Sequence, residues 1–218
     1  MAETAIPLTR EAALRRLDDF LPEAGAAYAR LRNKENGRGG HVHVSRLSAA
    51  LRRRLVSEEE VVNAVLERHG LNGAEKFVSE VFWRTYWKGW LEQRPSLWAD
   101  YCSAVSRAKS DLEASSPLLK RYTAAVEAGT GIDCFDGWAQ ELAQTGYLHN
   151  WARMQFASIW IFTLGLPWEL GAAFMFDRLV DADPASKIVN VTGFSDYAAI
   201  KAIVTGAGYT PSASPVAA

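Results

Sequence analysis

Helix-opening and helix-closing signals punctuate almost the whole of this sequence. The alternation of apolar and polar residues that marks a half-buried strand hardly occurs. A chain written this way must bury the apolar stripes of several helices against one another, so the expected fold class is all-α and multi-helical. Thr9 is placed to open a helix with apolar positions Ala13, Leu14, Leu17 and Leu21, expected to run on past Pro22 through Tyr28 and Leu31. Ser57 and Glu60 form a capping box ahead of a helix over 58–68. Asn72 and Glu75 repeat that spacing before the aromatic stretch Phe77 to Trp90. A mixed helical segment is expected from Trp98 towards Ser115-Ser116-Pro117. Asp136 is placed to cap a helix ending at Gly146, and His149 to Leu164 and Trp168 to Val180 read as two more. Asn36-Gly37, Gly39-Gly40 and Gly129-Thr130-Gly131 carry turn chemistry.

With 218 residues, 49% of them hydrophobic, the chain can form a sizeable core. Residues 1–186 read as the folded domain. Residues 187–218, rich in Gly, Ser, Thr, Ala and Pro, read as a divergent, poorly ordered tail. A formal charge of −1 supplies no bulk attraction to nucleic acid, so any phosphate contact must come from a local patch. The N-terminus lacks the pattern of a secretion signal, and the longest apolar run, Phe156 to Trp168, is too short to span a bilayer. Cys102 and Cys134 have no metal-ligand company and read as packing residues in a reducing, cytoplasmic setting. Eight tryptophans crowd into 83–98 and 138–168. Core filling is the favoured reason; a planar group to stack upon is the other.

Several polar residues resist a purely structural reading. Glu80 and Arg84 interrupt a helix face otherwise made by Phe77 and Trp87. Either they form an ordinary exposed pair, with Val78, Val81 and Phe82 facing the core, or they serve a site. Arg153 shares a face with Asn150 beside the apolar Met154, Phe156, Ala157, Ile159 and Trp160. A partly buried guanidinium needs a carboxylate partner, and Asp181 and Asp183 are the best placed. Asp183 has two other readings: the cap of a turn around Pro184, or half of a metal-binding pair that lacks further ligands nearby. His41 and His43 alternate in a glycine-rich loop and read as solvated. His149 is read either as titrating near neutrality or as holding a helix start. Arg52-Arg53-Arg54 reads as a wet face. No hydrolase triad order, phosphate-cradling glycine loop or dinucleotide fingerprint occurs.

Taken in order, these islands resemble the FAD-binding domain of the photolyase/cryptochrome family over about 9–186. Ser45-Arg46-Leu47-Ser48 resembles the family's phosphate-binding turn, with Val44 in place of a threonine. Glu80-Val-Phe-Trp83-Arg84 resembles its Glu-Leu-x-Trp-Arg helix. The segment from Thr145-Gly146-Tyr147-Leu148-His149-Asn150 to Arg153-Met154 resembles Thr-Gly-Trp-Met-His-Asn-x-x-Arg-Met, and Leu179 to Ser186 resembles Leu-x-Asp-Gly-Asp-x-Ala-Ser. The resemblance implies FAD as cofactor, with Tyr28, Ser45, Leu47 and Ser48 at its diphosphate and Phe77 among the cofactor contacts. It implies Arg153 paired with Asp181 beside the flavin ring, Asp183 accepting from the ring N–H, and Arg84 favouring the reduced, anionic flavin. In repair members Glu80 would hold a flipped-out pyrimidine dimer of damaged DNA, Trp83 would stack on it, and Asn150 would lie between flavin and lesion.

The departures matter equally. The family's N-terminal antenna domain has no counterpart, so a second chromophore is not expected in this chain. Lys187 stands where the family has an asparagine or another small residue. Trp168 matches a middle member of the family's electron-transfer tryptophans, but the member nearest the flavin has no counterpart, which predicts a broken relay. Three readings follow: a light-dependent DNA-repair lyase, a flavin sensor or partner-binding module without catalysis, and a degenerate helical protein without cofactor.

Overall fold

A computed structural model describes residues 6, 9–37 and 39–181. Asp183, Lys187 and the segment 187–218 lie outside the described residues. Within them every regular element is a helix. In chain order these are α1 (Arg10–Phe20), α2 (Ala26–Leu31), α3 (Ser48–Arg52), α4 (Glu58–Glu92), α5 (Ser96–Ala114), α6 (Ser116–Val126), α7 (Asp133–Thr145), α8 (Asn150–Ser158) and α9 (Trp168–Arg178).

Thr9 accepts a hydrogen bond from the Ala12 amide and opens α1, but the chain then tightens into a 3-10 turn, Leu21–Glu23, before α2. The helix expected to pass Pro22 is therefore two helices, because Pro22 has no N–H to continue the ladder and fits the first turn of the next element. The Ser57/Glu60 capping box forms as expected, each side chain bonded to the other's backbone amide. The break expected at Asn72 falls instead at Gly70, whose φ of 65° and ψ of 170° only glycine adopts readily, so Asn72 lies inside α4. Asp136 does not cap α7; it sits in the first turn, where its carboxylate accepts from the Thr130 amide and hydroxyl and from the Gly131 amide, fastening the preceding loop. α8 continues into a π-helical turn, Ile159–Thr163.

Two apolar clusters form. The first joins α1 to α4 through Leu17, Phe20, Leu47, Val61, Val65, Phe77 and Val81. The second joins α5 to α9 around Trp160, which lies among Phe135, Phe156 and Phe174 and donates to the Pro167 carbonyl. Core filling accounts for the fully buried Trp160 and, in part, for Trp138, which packs against the same cluster. Trp83, Trp87, Trp98 and Trp168 are about half exposed, and Trp83 and Trp87 stack on each other along the outer part of α4. Phe82 is likewise exposed rather than facing the core, and both cysteines lie at the surface rather than in packing positions. No described helix is long and apolar enough to cross a membrane.

Candidate cofactor site

Of the described residues singled out from the sequence, Arg84, Arg153 and Asp181 lie within electrostatic reach of one another, and Arg46 is joined to Arg153 through the Tyr147 ring. On one side is the turn 44–48. Leu47 is buried in the first core and anchors it, while Arg16 of α1 donates from Nε to the Ser45 carbonyl (2.9 Å) and from its other arm to the Val44 carbonyl (3.1 Å). Ser45 Oγ accepts from the Leu47 amide at 3.4 Å, and Ser48 begins α3. Arg46, in a left-handed conformation, lays its guanidinium 5.1 Å from the Tyr147 ring.

On the other side is the α7–α8 junction. Gly146 closes α7 with φ of 66°, and its carbonyl accepts from the Val180 amide at 2.9 Å. A Cβ here would stand 2.5 Å from Val180 Cγ1 and 3.2 Å from the Arg178 carbonyl, so the close approach of the post-α9 segment requires glycine. That approach delivers Asp181 to Arg153. The guanidinium donates to Asp181 Oδ2 at 3.0 Å and to the Leu148 carbonyl at 2.8 Å, with side chains 25% and 9% exposed. Sequence reasoning demanded this partner, and the structure supplies it. His149 Nδ1 accepts from the Trp151 amide, so the residue does cap α8. Burial, and then the nearby His41, hold its pKa below the ordinary value, while a backbone hydrogen bond with Arg32 pulls the other way.

α4 contributes the third wall. Glu80 and Arg84 do not form the ordinary pair: Glu80 meets Lys76 (3.0 Å) and Arg32 (3.7 Å), and Arg84 meets Glu58 (3.5 Å). Burial lowers the pKa of Arg84, opposed by the charges of Glu58 and Asp181, which places Arg84 within electrostatic reach of the Arg153–Asp181 pair. Trp83 is exposed, and Asn150 is exposed at the first turn of α8. Tyr28 and Phe77 pack edge to face at 5.0 Å against Phe20 inside the first core, and burial pushes the Tyr28 phenol up.

Three residues of this region carried no site role in the sequence. His41, read as solvated, is buried and bonded to Glu141 at 2.6 Å. Tyr147 lies between Arg46 and Arg153. Glu141 carried one overlooked signal: it sits on the buried stripe of α7, beside Leu142 and three residues after Trp138.

Polar groups among the described residues suit a flat, charged ligand. Asp181 Oδ1 is buried and has no hydrogen-bond partner among the described residues, although its other oxygen is paired, and the guanidiniums of Arg153 and Arg84 act on it electrostatically. A buried acceptor left unpaired costs about 1–3 kcal/mol, so a donor from a ligand is the natural complement. Among the described residues no group of His, Cys, Asp and Glu is arranged to hold a metal.

The family model for the FAD binding domain of DNA photolyase matches residues 77–213, more than half of the chain. The chain belongs to the DNA photolyase family. Its similarity to other photolyases is spread along the domain. The deoxyribodipyrimidine photo-lyase of Streptomyces griseus is 36% identical over 147 residues, 67% of this chain and 30% of that protein. That of Agrobacterium fabrum is 33% identical over 187 residues, 82% of this chain and 36% of that protein. The crystal structure of a bacterial class III photolyase from Agrobacterium tumefaciens matches with a TM-score of 0.64 and 31% identity, over 82% of this chain and 36% of that one. This photolyase domain thus spans about a third of the length of these relatives. It is an all-α flavoprotein domain, and its cofactor is FAD.

Proposed function

We propose that this domain holds FAD between the turn 44–48 and the Arg153–Asp181 pair and repairs pyrimidine dimers in damaged DNA under light. The observation that carries this reading is the layout of α4. Glu80 and Trp83 share an accessible flank, with side chain and residue 35% and 48% exposed, while Arg84 on the next position reaches towards Asp181. Arg84, itself about a third exposed, lies one turn along the same helix from Glu80, so α4 carries both the groups assigned to the substrate and a cation within electrostatic reach of the Arg153–Asp181 pair.

Each residue then has work that follows from its chemistry. Ser45, Leu47 and Ser48 offer a hydroxyl, backbone amides and a helix start to the FAD diphosphate, with Arg46 and Arg16 adding positive charge. Arg153 and Arg84 favour a negatively charged flavin ring, and Asp181 orients it through Oδ1, which has no hydrogen-bond partner among the described residues; Asp183 is assigned to the ring N–H by resemblance. Tyr28 and Phe77, whose rings pack edge to face in the first core, are assigned to the cofactor contacts by resemblance. FAD, when bound and reduced, supplies the light-excited electron. Trp83 provides the aromatic face on which a flipped-out base stacks, Glu80 accepts or donates a hydrogen bond at the lesion, and Asn150 fixes the boundary between the two. The two exposed free thiols suit a reducing, cytoplasmic compartment.

The test is direct. The FAD-loaded, reduced protein, illuminated with DNA carrying pyrimidine dimers, is expected to restore intact pyrimidines, and Glu80→Gln is expected to slow that restoration about tenfold or more. Trp83→Ala is expected to weaken lesion binding by about 1–3 kcal/mol. A flavin-loaded protein that responds to light by a spectral change but restores nothing would favour the sensor reading.

A further inference from the structure

We propose that the buried His41–Glu141 pair is a positioning clasp for the cofactor site: it locks the glycine loop that leads into the turn 44–48 against the α7–α8 junction that carries Arg153, and thereby slows the release of FAD. The inference rests on the FAD site described above and assigns to it two residues that the family motifs do not mention.

The pair is enclosed more completely than any other described ion pair, with side chains 1% and 3% exposed. Enclosing two ionisable groups this deeply is costly unless the geometry is good, and the 2.6 Å separation is that of a charge-assisted hydrogen bond. An ionised Glu141 can only accept, so Nε2–H of His41 is the donor. The same Glu141 oxygen also takes the Gly39 amide at 3.3 Å. The loop's other hydrogen bonds among the described residues 35–42 are local: Gly37 and Gly39 have φ of 81° and 73°, the Gly37 amide donates to Glu35 Oε1, Asn36 Nδ2 to the Gly40 carbonyl, the Gly40 amide to the Gly37 carbonyl and the Val42 amide to the Gly40 carbonyl. Glu141 supplies the fixed point, because α7 is anchored in the second core by Phe135, Ala139 and Leu142.

The His41 ring then links both ends of the site. It stacks on His149, the cap of α8, at 5.7 Å and 24°, and meets Tyr147 edge to face at 5.0 Å. Tyr147 in turn lies against Arg46 of the turn and Arg153 of α8. His41 Nδ1 is buried without a hydrogen-bond partner among the described residues, so Glu141 and these two rings set where the imidazole sits. A pair kept only for stability is replaceable, since apolar residues of similar volume often do as well or better. A clasp whose direction matters is not.

That difference gives the experiment. FAD release from the loaded chain is followed by the rise of free-flavin fluorescence, alongside thermal unfolding of the flavin-free protein, for wild type, Arg153→Ala, Glu141→Gln, His41→Gln and the double variant His41→Leu/Glu141→Leu. The double variant is expected to unfold within a few degrees of wild type yet release FAD about tenfold faster or more. Glu141→Gln, whose amide oxygen still accepts from His41, is expected to stay within about threefold of wild type. If the double variant does not fold, His41→Gln decides, because it keeps a donor to Glu141 and removes the ring; faster release supports the clasp and unchanged release overturns it. A folded double variant that holds FAD as wild type does also overturns it, provided Arg153→Ala loosens FAD. If wild type takes up no FAD, or Arg153→Ala leaves uptake intact, the cofactor assignment fails first and the clasp with it.

Discussion

Arg153 keeps only a quarter of its side chain exposed, and its hydrogen bonds go to one carbonyl and one carboxylate oxygen. Asp181→Asn preserves the shape and removes the charge. A hydrogen bond to a charged group is worth about 1.5–3 kcal/mol, so FAD affinity is expected to fall by about ten- to a hundredfold in a flavin titration. An affinity equal to wild type would remove Asp181 from the site. His149 makes a second prediction. Its folded pKa lies below the ordinary value near 6.5, so the unfolded chain takes up the proton more readily. Stability from this residue is complete above that ordinary value and is lost as pH falls through the folded pKa. His149→Asn, which can still cap α8, is expected to flatten the decline of the melting temperature as pH drops from about 6.5 towards 5. The Arg153–Asp181 pair was legible in the sequence because a buried guanidinium compels a carboxylate partner. His41 was not: its glycine-rich surroundings say solvent, and its burial is decided by Glu141, 100 residues away on another helix.

Caps and breaks were the most readable features at the level of the helices. Thr9 and Ser57 open α1 and α4 where their side chains predict, because a cap is local chemistry between near neighbours. Asn72 misled for the same reason: a good capping spacing lost to Gly70, whose backbone takes the break without strain. Exposure was harder to read. Phe82, Trp83 and Trp87 sit among charged residues on one helix, Trp98 and Trp168 near the starts of two others, and nothing local says whether another helix comes to cover them. Gly146→Ala gives a third prediction. The left-handed conformation costs a non-glycine residue about 1–2 kcal/mol, and the added methyl would meet Val180. The melting temperature is expected to drop by several degrees and FAD to bind more weakly, because the segment displaced is the one that carries Asp181. A variant that is destabilised yet binds FAD normally would separate the α7 terminus from the site.

For the molecule as a whole, the sequence located an all-helical FAD domain but not its division into two cores, which depends on contacts between distant segments. The exposed rings of α4, α5 and α9 give a fourth prediction: with Trp83, Trp87, Trp98 and Trp168 about half exposed, much of the tryptophan fluorescence should be open to quenching by acrylamide. Emission largely protected from the quencher would mean that something covers these rings in solution. A last consequence lies in how Arg153 and Asp181 are mounted. The arginine is tethered to the Leu148 carbonyl, and the strand of chain bearing the aspartate is tethered to the Gly146 carbonyl, so both halves ride on the same short bracket. The turn 44–48 is rooted instead in the first core. If FAD sits as proposed, breathing between the cores would leave the ion pair closed while it strains the His41–Glu141 contact, making departure of the dinucleotide a peeling motion that begins at its phosphates and ends at its ring.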